Sequence, residues 1–190
     1  MVRVYHRDYR PESFNPGVRT EPLGRFHFFD DERGRRVPVL YTAEGEDAAI
    51  SETVFRDLPV GSREPAVVPE SLLAFYGLVR LRARRDLALV ELHGHGLRRL
   101  GLRPGSLTGT GPEGYPRTVE WARALHGALP EADGLVWMSR QFNSERAIML
   151  FGDRAEEVDL ERLGPGVPLR TGPGRVILDR AANASGVLIA

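Results

Sequence analysis

Residues 39–55 read VLYTAEGEDAAISETVF. Val37 to Ala43 is a β-favouring run of apolar and aromatic residues, which predicts a strand carrying Tyr41. Gly45 breaks the run. Glu46 and Asp47 then supply the acidic first turn that a helix dipole favours, so a helix is expected from about Glu46 to Arg56, carrying Glu52. A strand, a tight turn and a short helix therefore bring a tyrosine and a carboxylate close together.

On the N-terminal side, Val2 to Arg7 alternates Val2, Val4 and His6 with Arg3, Tyr5 and Arg7, as a strand with two unlike faces does. Pro11, Pro16, Gly17, Pro22 and Gly24 make residues 8–24 an irregular loop. A second strand is expected at Arg25 to Phe29, followed by the charged turn DDERGRR. On the C-terminal side, Pro59, Gly61, Pro65 and Pro69 mark residues 57–71 as a loop able to cover a neighbouring site. Strands are predicted at Leu72 to Arg84 and Leu87 to Leu92, and a helix from Pro116 to about Leu129 with Trp121, Leu125 and Leu129 on one face. GLVWMS (134–139) and AIMLF (147–151) are the strongest buried-strand signals. Short edge strands follow, and residues 181–190 read as a loose tail. Many short strands with a few helices predict an α+β fold with mixed or antiparallel sheets, as a single domain over residues 1–190.

Composition narrows the chemistry. The 190 residues carry 26 basic and 26 acidic side chains, so no overall field holds a polyanion and direct nucleic-acid binding is not expected. Every basic residue is arginine, which excludes lysine chemistry but suits recognition of paired phosphate oxygens. Without cysteine there are no thiol nucleophiles or disulfides. No apolar run approaches the length of a membrane span, so a soluble, cytoplasmic protein is expected.

Individual motifs say less. GTGPEG (109–114) has the spelling of a dinucleotide-binding loop, but no buried strand precedes it and Pro112 removes a needed donor. Glu91, His93 and His95 would share a strand face as zinc ligands do, yet Gly94 and Gly96 favour a turn, and no metal is expected. The nucleophile-elbow spelling G-x-S-x-G is absent. What remains is a distributed set: Arg7 at one strand's end, Gly24-Arg25-Phe26, Tyr41, Glu52 and Ser139.

In order and spacing these pieces resemble the RES-domain family: VYHR with Arg7, LGRF with Arg25, VLYTAE with Tyr41, ISETVF with Glu52, then LVWMSR with Ser139 before AIMLF. The resemblance spans about residues 2 to 152. Phe26-His27 stands where members often have Trp-Asn, and Asp8 where an aromatic often follows the first arginine. It implies a fold similar to ADP-ribosyltransferases and an enzyme that degrades NAD+ at the nicotinamide–ribose bond, by hydrolysis or phosphorolysis. NAD+ is then substrate rather than cofactor, with inorganic phosphate a candidate co-substrate. It also implies a toxin of a toxin–antitoxin pair, whose helix-turn-helix antitoxin binds the DNA. Under this reading Glu52 stabilises the ribosyl cation, Tyr41 stacks on the nicotinamide, Arg7 and Arg25 hold the pyrophosphate, and Ser139 orients a ribose or amide group. ADP-ribose transfer to a macromolecule and a non-enzymatic interaction domain are the alternatives.

Overall fold

The structure is a computed structural model that describes residues 1–17, 24–59 and 64–190. In chain order its elements are β1 (Val2–His6), β2 (Val39–Ala43), α1 (Glu46–Ser51), β3 (Val67–Val68), β4 (Tyr76–Ala83), β5 (Leu89–Glu91), α2 (Gly94–Arg99) and α3 (Tyr115–Ala128). Then come β6 (Gly134–Met138), β7 (Arg146–Phe151), β8 (Leu160–Arg162), β9 (Val167–Pro168), α4 (Gly172–Ser185) and β10 (Leu188–Ile189).

β6 and β7 sit deep in the sheet, whose order is β5-β6-β7-β2-β1-β4-β8, with β9 also paired to β4. Both faces of β6 and β7 are covered, which is why their sequences are unbroken apolar runs rather than alternating ones. Leu135, Trp137, Met149 and Phe151 face one core with Phe26, Val39 and the α3 residues Val119, Ala122 and Leu125. Val136, Ile148 and Leu150 face the opposite core with Leu40, Val79 and Leu81. Each such side chain, fully buried, contributes about 1.5–3 kcal/mol of transfer free energy. Gly134 leaves room for the neighbouring strand, because a Cβ there would strike the Met149 carbonyl. A third core packs α1 and α4 over β1 and β4 through Ile50, Val54, Leu78, Leu178 and Ala182. The pairings are antiparallel except β5 with β6 and the separate pair β10 with β3. The α+β expectation holds.

Four local expectations are corrected. Arg25 to Phe29 is not a strand. Gly24 and His27 bond each other's backbone (2.9 and 3.4 Å), and Phe26, Phe28 and Phe29 are all buried, so the segment is a folded-back aromatic plug. The helix carrying Glu52 is shorter than 46–56: Glu52 caps it, and the amides of Val54 and Phe55 both reach back to the Ile50 carbonyl. The strand expected from Leu72 begins only at Tyr76, after a 3₁₀ turn over Glu70–Phe75. Residues 181–190 are no loose tail. Buried Ala181 and Ala182 belong to α4, Gly186 ends that helix at φ 67°, and Leu188 and Ile189 pair with Val67 and Val68. The weak apolar signal of AANASG hid this helix end. Parts of the loops predicted at 8–24 and 57–71 lie outside the described residues.

Candidate functional site

Glu52, at the C-terminal cap of α1, points toward the hairpin between β6 and β7. Its Oε1 accepts hydrogen bonds from Ser139 Oγ at 2.8 Å and from the Arg140 backbone N–H at 2.7 Å. Ser139 is fully buried. The turn holding it closes through the Asn143 amide on the Ser139 carbonyl (2.8 Å), and Asn143 takes the left-handed φ of 47° that Asn tolerates better than most residues. Two bonds to an ionised acceptor are of the strong, charge-assisted kind, so the carboxylate is held in one place.

A cavity of about 170 Å³ opens beside this carboxylate, lined by Arg3, Arg25, His27, Tyr41, Glu52 and Arg56 among others. Arg25 is 5% exposed. Its Nη1 donates to the carbonyls of Leu107 (3.3 Å) and Thr110 (3.0 Å), its guanidinium lies 5.6 Å from the Tyr115 ring centroid, and Thr118 Oγ1 donates to its backbone carbonyl. Burial lowers its pKa, opposed by the Glu52 charge. The glycine-rich stretch around Gly109 thus clamps Arg25 with main-chain carbonyls, which is its visible role in place of a dinucleotide loop.

Tyr41 and His27 are coupled: the phenol oxygen and imidazole Nδ1 lie 2.7 Å apart. Burial pushes the Tyr41 phenol upward, so it stays protonated. Burial, helped by the charge of Arg56, pushes His27 down to about 4, so it is neutral at pH 7. Gly24 matters here because its missing Cβ leaves the space that the His27 ring occupies. Tyr41 also meets Trp137 edge-on at 6.0 Å.

Arg3 donates from Nη1 to the carbonyls of Pro11 and Ser13, both at 2.8 Å, and burial lowers its pKa to about 10, well above neutrality. Arg56 is bonded through Nε and Nη2 to Asp57. Burial opposes its charge, but the Asp57 contacts outweigh this and raise its pKa.

The structure therefore brings Arg25, Tyr41, Glu52 and Ser139 together and leaves Arg7 out. Arg7 is exposed, bonded at 3.3 Å to the Ala74 carbonyl beyond the end of β1. Arg3, on the same strand, lines the cavity. Strand parity could not separate the two, since residues 3 and 7 share a face. Four residues of strand nonetheless set them about 13 Å apart. Arg56 and His27, which also line the cavity, were not singled out: Arg56 read as the end of a helix, and His27 as one residue of the strand expected at Arg25 to Phe29. Tyr41 shares its cavity with the guanidiniums of Arg3, Arg25 and Arg56.

Larger cavities lie elsewhere, among them one of about 600 Å³ behind α1 beside Phe55 and Phe142 and one of about 630 Å³ beside Asp31 and His126. Neither contains the fixed carboxylate, so chemistry rather than size selects the site. Among the described residues no group of three His, Cys, Asp or Glu comes together to hold a metal, and no helix is long and apolar enough to cross a membrane. α2 begins at Gly94, so Glu91, His93 and His95 do not form one strand face.

A search by sequence among curated proteins gives no match. Among solved structures, the fold is similar to that of a chain in the crystal structure of the M. tuberculosis MbcT–MbcA toxin–antitoxin complex, with a TM-score of 0.62 and 17% identity over 95% of this chain and 87% of that one. The RES domain family model matches residues 1–171. With that match covering nearly all of its 190 residues, the chain belongs to the RES-domain family.

Proposed function

We propose that this protein cleaves the nicotinamide–ribose bond of NAD+. The observation that carries the proposal is the Glu52 carboxylate, fixed by Ser139 and the Arg140 amide at the edge of a cavity that also presents Arg3, Arg25 and Arg56. As the C1′–N bond breaks, its electron pair goes to the ring nitrogen and nicotinamide leaves neutral, so no general acid is required. Positive charge then develops on the ribose. A carboxylate already aimed at that position stabilises this charge without reorganising.

The three arginines supply charge-assisted hydrogen bonds to the pyrophosphate, and their surplus positive charge leaves room for an inorganic phosphate as acceptor in place of water. Capture by water releases a proton and gives ADP-ribose; capture by phosphate gives the corresponding ADP-ribose phosphate. Ser139 acts on Glu52 rather than on substrate, since its one hydroxyl proton is already donated to the carboxylate. Tyr41, held by His27, forms a wall of the arginine cavity.

Family membership and the fold shared with a chain of the MbcT–MbcA toxin–antitoxin complex support a further reading, that the protein is the toxin of such a pair. Its partner would be a helix-turn-helix antitoxin that carries the DNA contacts.

Purified protein incubated with NAD+, with and without phosphate, should release free nicotinamide, and the second product identifies the acceptor. Intact NAD+ under both conditions overturns the proposal. Growth arrest on induction, relieved by co-expression of an antitoxin, tests the toxin reading.

A further inference from the structure

The turn between β6 and β7, residues 139–145, holds α1 at more than one point. Ser139 Oγ and the Arg140 N–H bond Glu52 at the C-terminal cap of the helix. At the other end, Glu145 Oε2 accepts the Ala48 backbone N–H at 3.3 Å. Gly45 at the N-cap has no side chain to do this, and Glu46 and Asp47 of the first turn are drawn off to Arg80 and Arg180. Gln141 Nε2 donates to the carbonyls of Arg56 (3.3 Å) and Leu58 (3.5 Å) just beyond the helix.

These contacts close a circuit. The Ala48 N–H is bonded to Glu145, and the Ala48 carbonyl accepts the Glu52 N–H at 2.9 Å. Glu52 Oε1 in turn meets Ser139 Oγ, and the Ser139 N–H returns to the Glu145 carbonyl at 3.0 Å. A six-residue helix is too short to hold its own shape in water, so its position comes from such ties and from the burial of Ala48, Ala49 and Ile50. The fit at Gly45 is close. A Cβ there would strike both carboxylate oxygens of Glu145, although the backbone, at φ −129°, accepts any residue.

Building on the NAD+ reading, we infer that Glu145 is a positioning residue for that cleavage, acting through α1 to fix where the Glu52 carboxylate meets the developing ribosyl charge. Glu145 does not line the arginine cavity. Its carboxylate complements the positive end of the helix dipole, and its loss frees the start of α1 while Glu52 stays bonded to Ser139 and Arg140 at the other end. A carboxylate displaced in this way loses contact with the transition state before the phosphates lose theirs with the arginines. Gly45 is the steric counterpart, since its missing side chain leaves the Glu145 carboxylate its place.

Glu145→Ala should lower kcat for NAD+ about tenfold with KM within about twofold of wild type, and Glu145→Gln, which keeps an acceptor for the Ala48 N–H, should recover most of the loss. Gly45→Ala should lower kcat similarly by displacing the carboxylate. In the Glu145→Ala background it should cost nothing further, because the collision is gone. Titration with ADP-ribose counts the competent sites, and an undiminished number is expected in every variant. Wild-type kcat in Glu145→Ala, an effect confined to KM, or additive losses in the double variant overturns the inference while the NAD+ reading stands. A fall in kcat matched by a fall in the number of sites overturns it as well, since the loss is then one of folded protein. Should wild type leave NAD+ intact, the NAD+ reading fails separately, and amide hydrogen exchange decides the circuit. Faster exchange at Ala48 and Glu52 in Glu145→Ala and Gly45→Ala, with Leu150 in β7 unchanged, supports it; unchanged exchange at Ala48 and Glu52 overturns it.

Discussion

Glu52 and Ser139 stand far apart in sequence yet share a 2.8 Å hydrogen bond that ties the end of α1 to the end of β6. The Arg140 amide adds a second bond to the same oxygen, at 2.7 Å. A glutamine at position 52 can accept both bonds through its amide oxygen while losing the negative charge. Glu52→Gln should therefore keep the wild-type Tm within a few degrees and lower kcat for NAD+ cleavage by about 10²–10³, the magnitude typical of a lost transition-state electrostatic contact. Chromatography of the nicotinamide released, beside a thermal melt, separates the two effects. A variant with full turnover removes Glu52 from the chemistry.

Removing the hydroxyl instead of the charge tests positioning. Ser139→Ala leaves Glu52 with the Arg140 amide as its remaining donor of the two, and leaves a fully buried site without its polar group. A stability loss of about 1 kcal/mol is expected, the usual net value of one hydrogen bond. Turnover should fall through kcat with KM little changed, because the carboxylate is displaced from the developing charge rather than from the phosphates. A change confined to KM would instead place the hydroxyl on the substrate.

Arg3 and Arg7 make a matched pair on one strand. Arg3 lines the arginine cavity and satisfies the carbonyls of Pro11 and Ser13, whereas Arg7 is exposed and bonded to the Ala74 carbonyl. Arg7→Ala should alter stability by no more than about 0.5 kcal/mol, as exposed substitutions do, and leave KM unchanged. Arg3→Ala should raise KM for NAD+ at least about tenfold and destabilise the fold by about 1–3 kcal/mol through the two orphaned carbonyls. Equal KM values for the two variants would remove Arg3 from substrate binding.

How much of this was legible in the sequence depended on whether the signal was local. β2, β6 and β7 were readable because both faces of the sheet are covered there, which forces unbroken apolar runs. Arg25, Tyr41, Glu52 and Ser139 were readable as a set through their order. That Arg3 rather than Arg7 lines the cavity was not legible, because parity is all that alternation reports, while the cavity's position depends on how β1 meets the Pro11–Ser13 turn. The clamp on Arg25 was illegible, since its acceptors are the main-chain carbonyls of Leu107 and Thr110, which every residue possesses. His27 belonged to an expected strand and showed its partner only once Gly24 folded the segment back.

His27 gives the fold a specific acid sensitivity. Its imidazole is largely buried, lies 2.7 Å from the Tyr41 oxygen and has the Arg56 charge nearby, so burial first and that charge second hold its pKa at about 4. In the unfolded chain the same group returns to about 6.5. Between those values the unfolded state binds a proton that the folded state refuses. Stability from this residue is therefore complete above about pH 6.5 and is lost as pH falls toward 4. The difference of about 2.5 units corresponds to about 3 kcal/mol at pH 4. His27→Gln retains a hydrogen-bonding partner for Tyr41 without a titrating group. Urea melts of both proteins at pH 7 and pH 4 should show the wild type losing about 3 kcal/mol more than the variant. The comparison cancels the carboxylates common to both. Equal losses in the two proteins would show that His27 takes up its proton without hindrance in the fold, and that Tyr41 is held in place by packing against Trp137 instead.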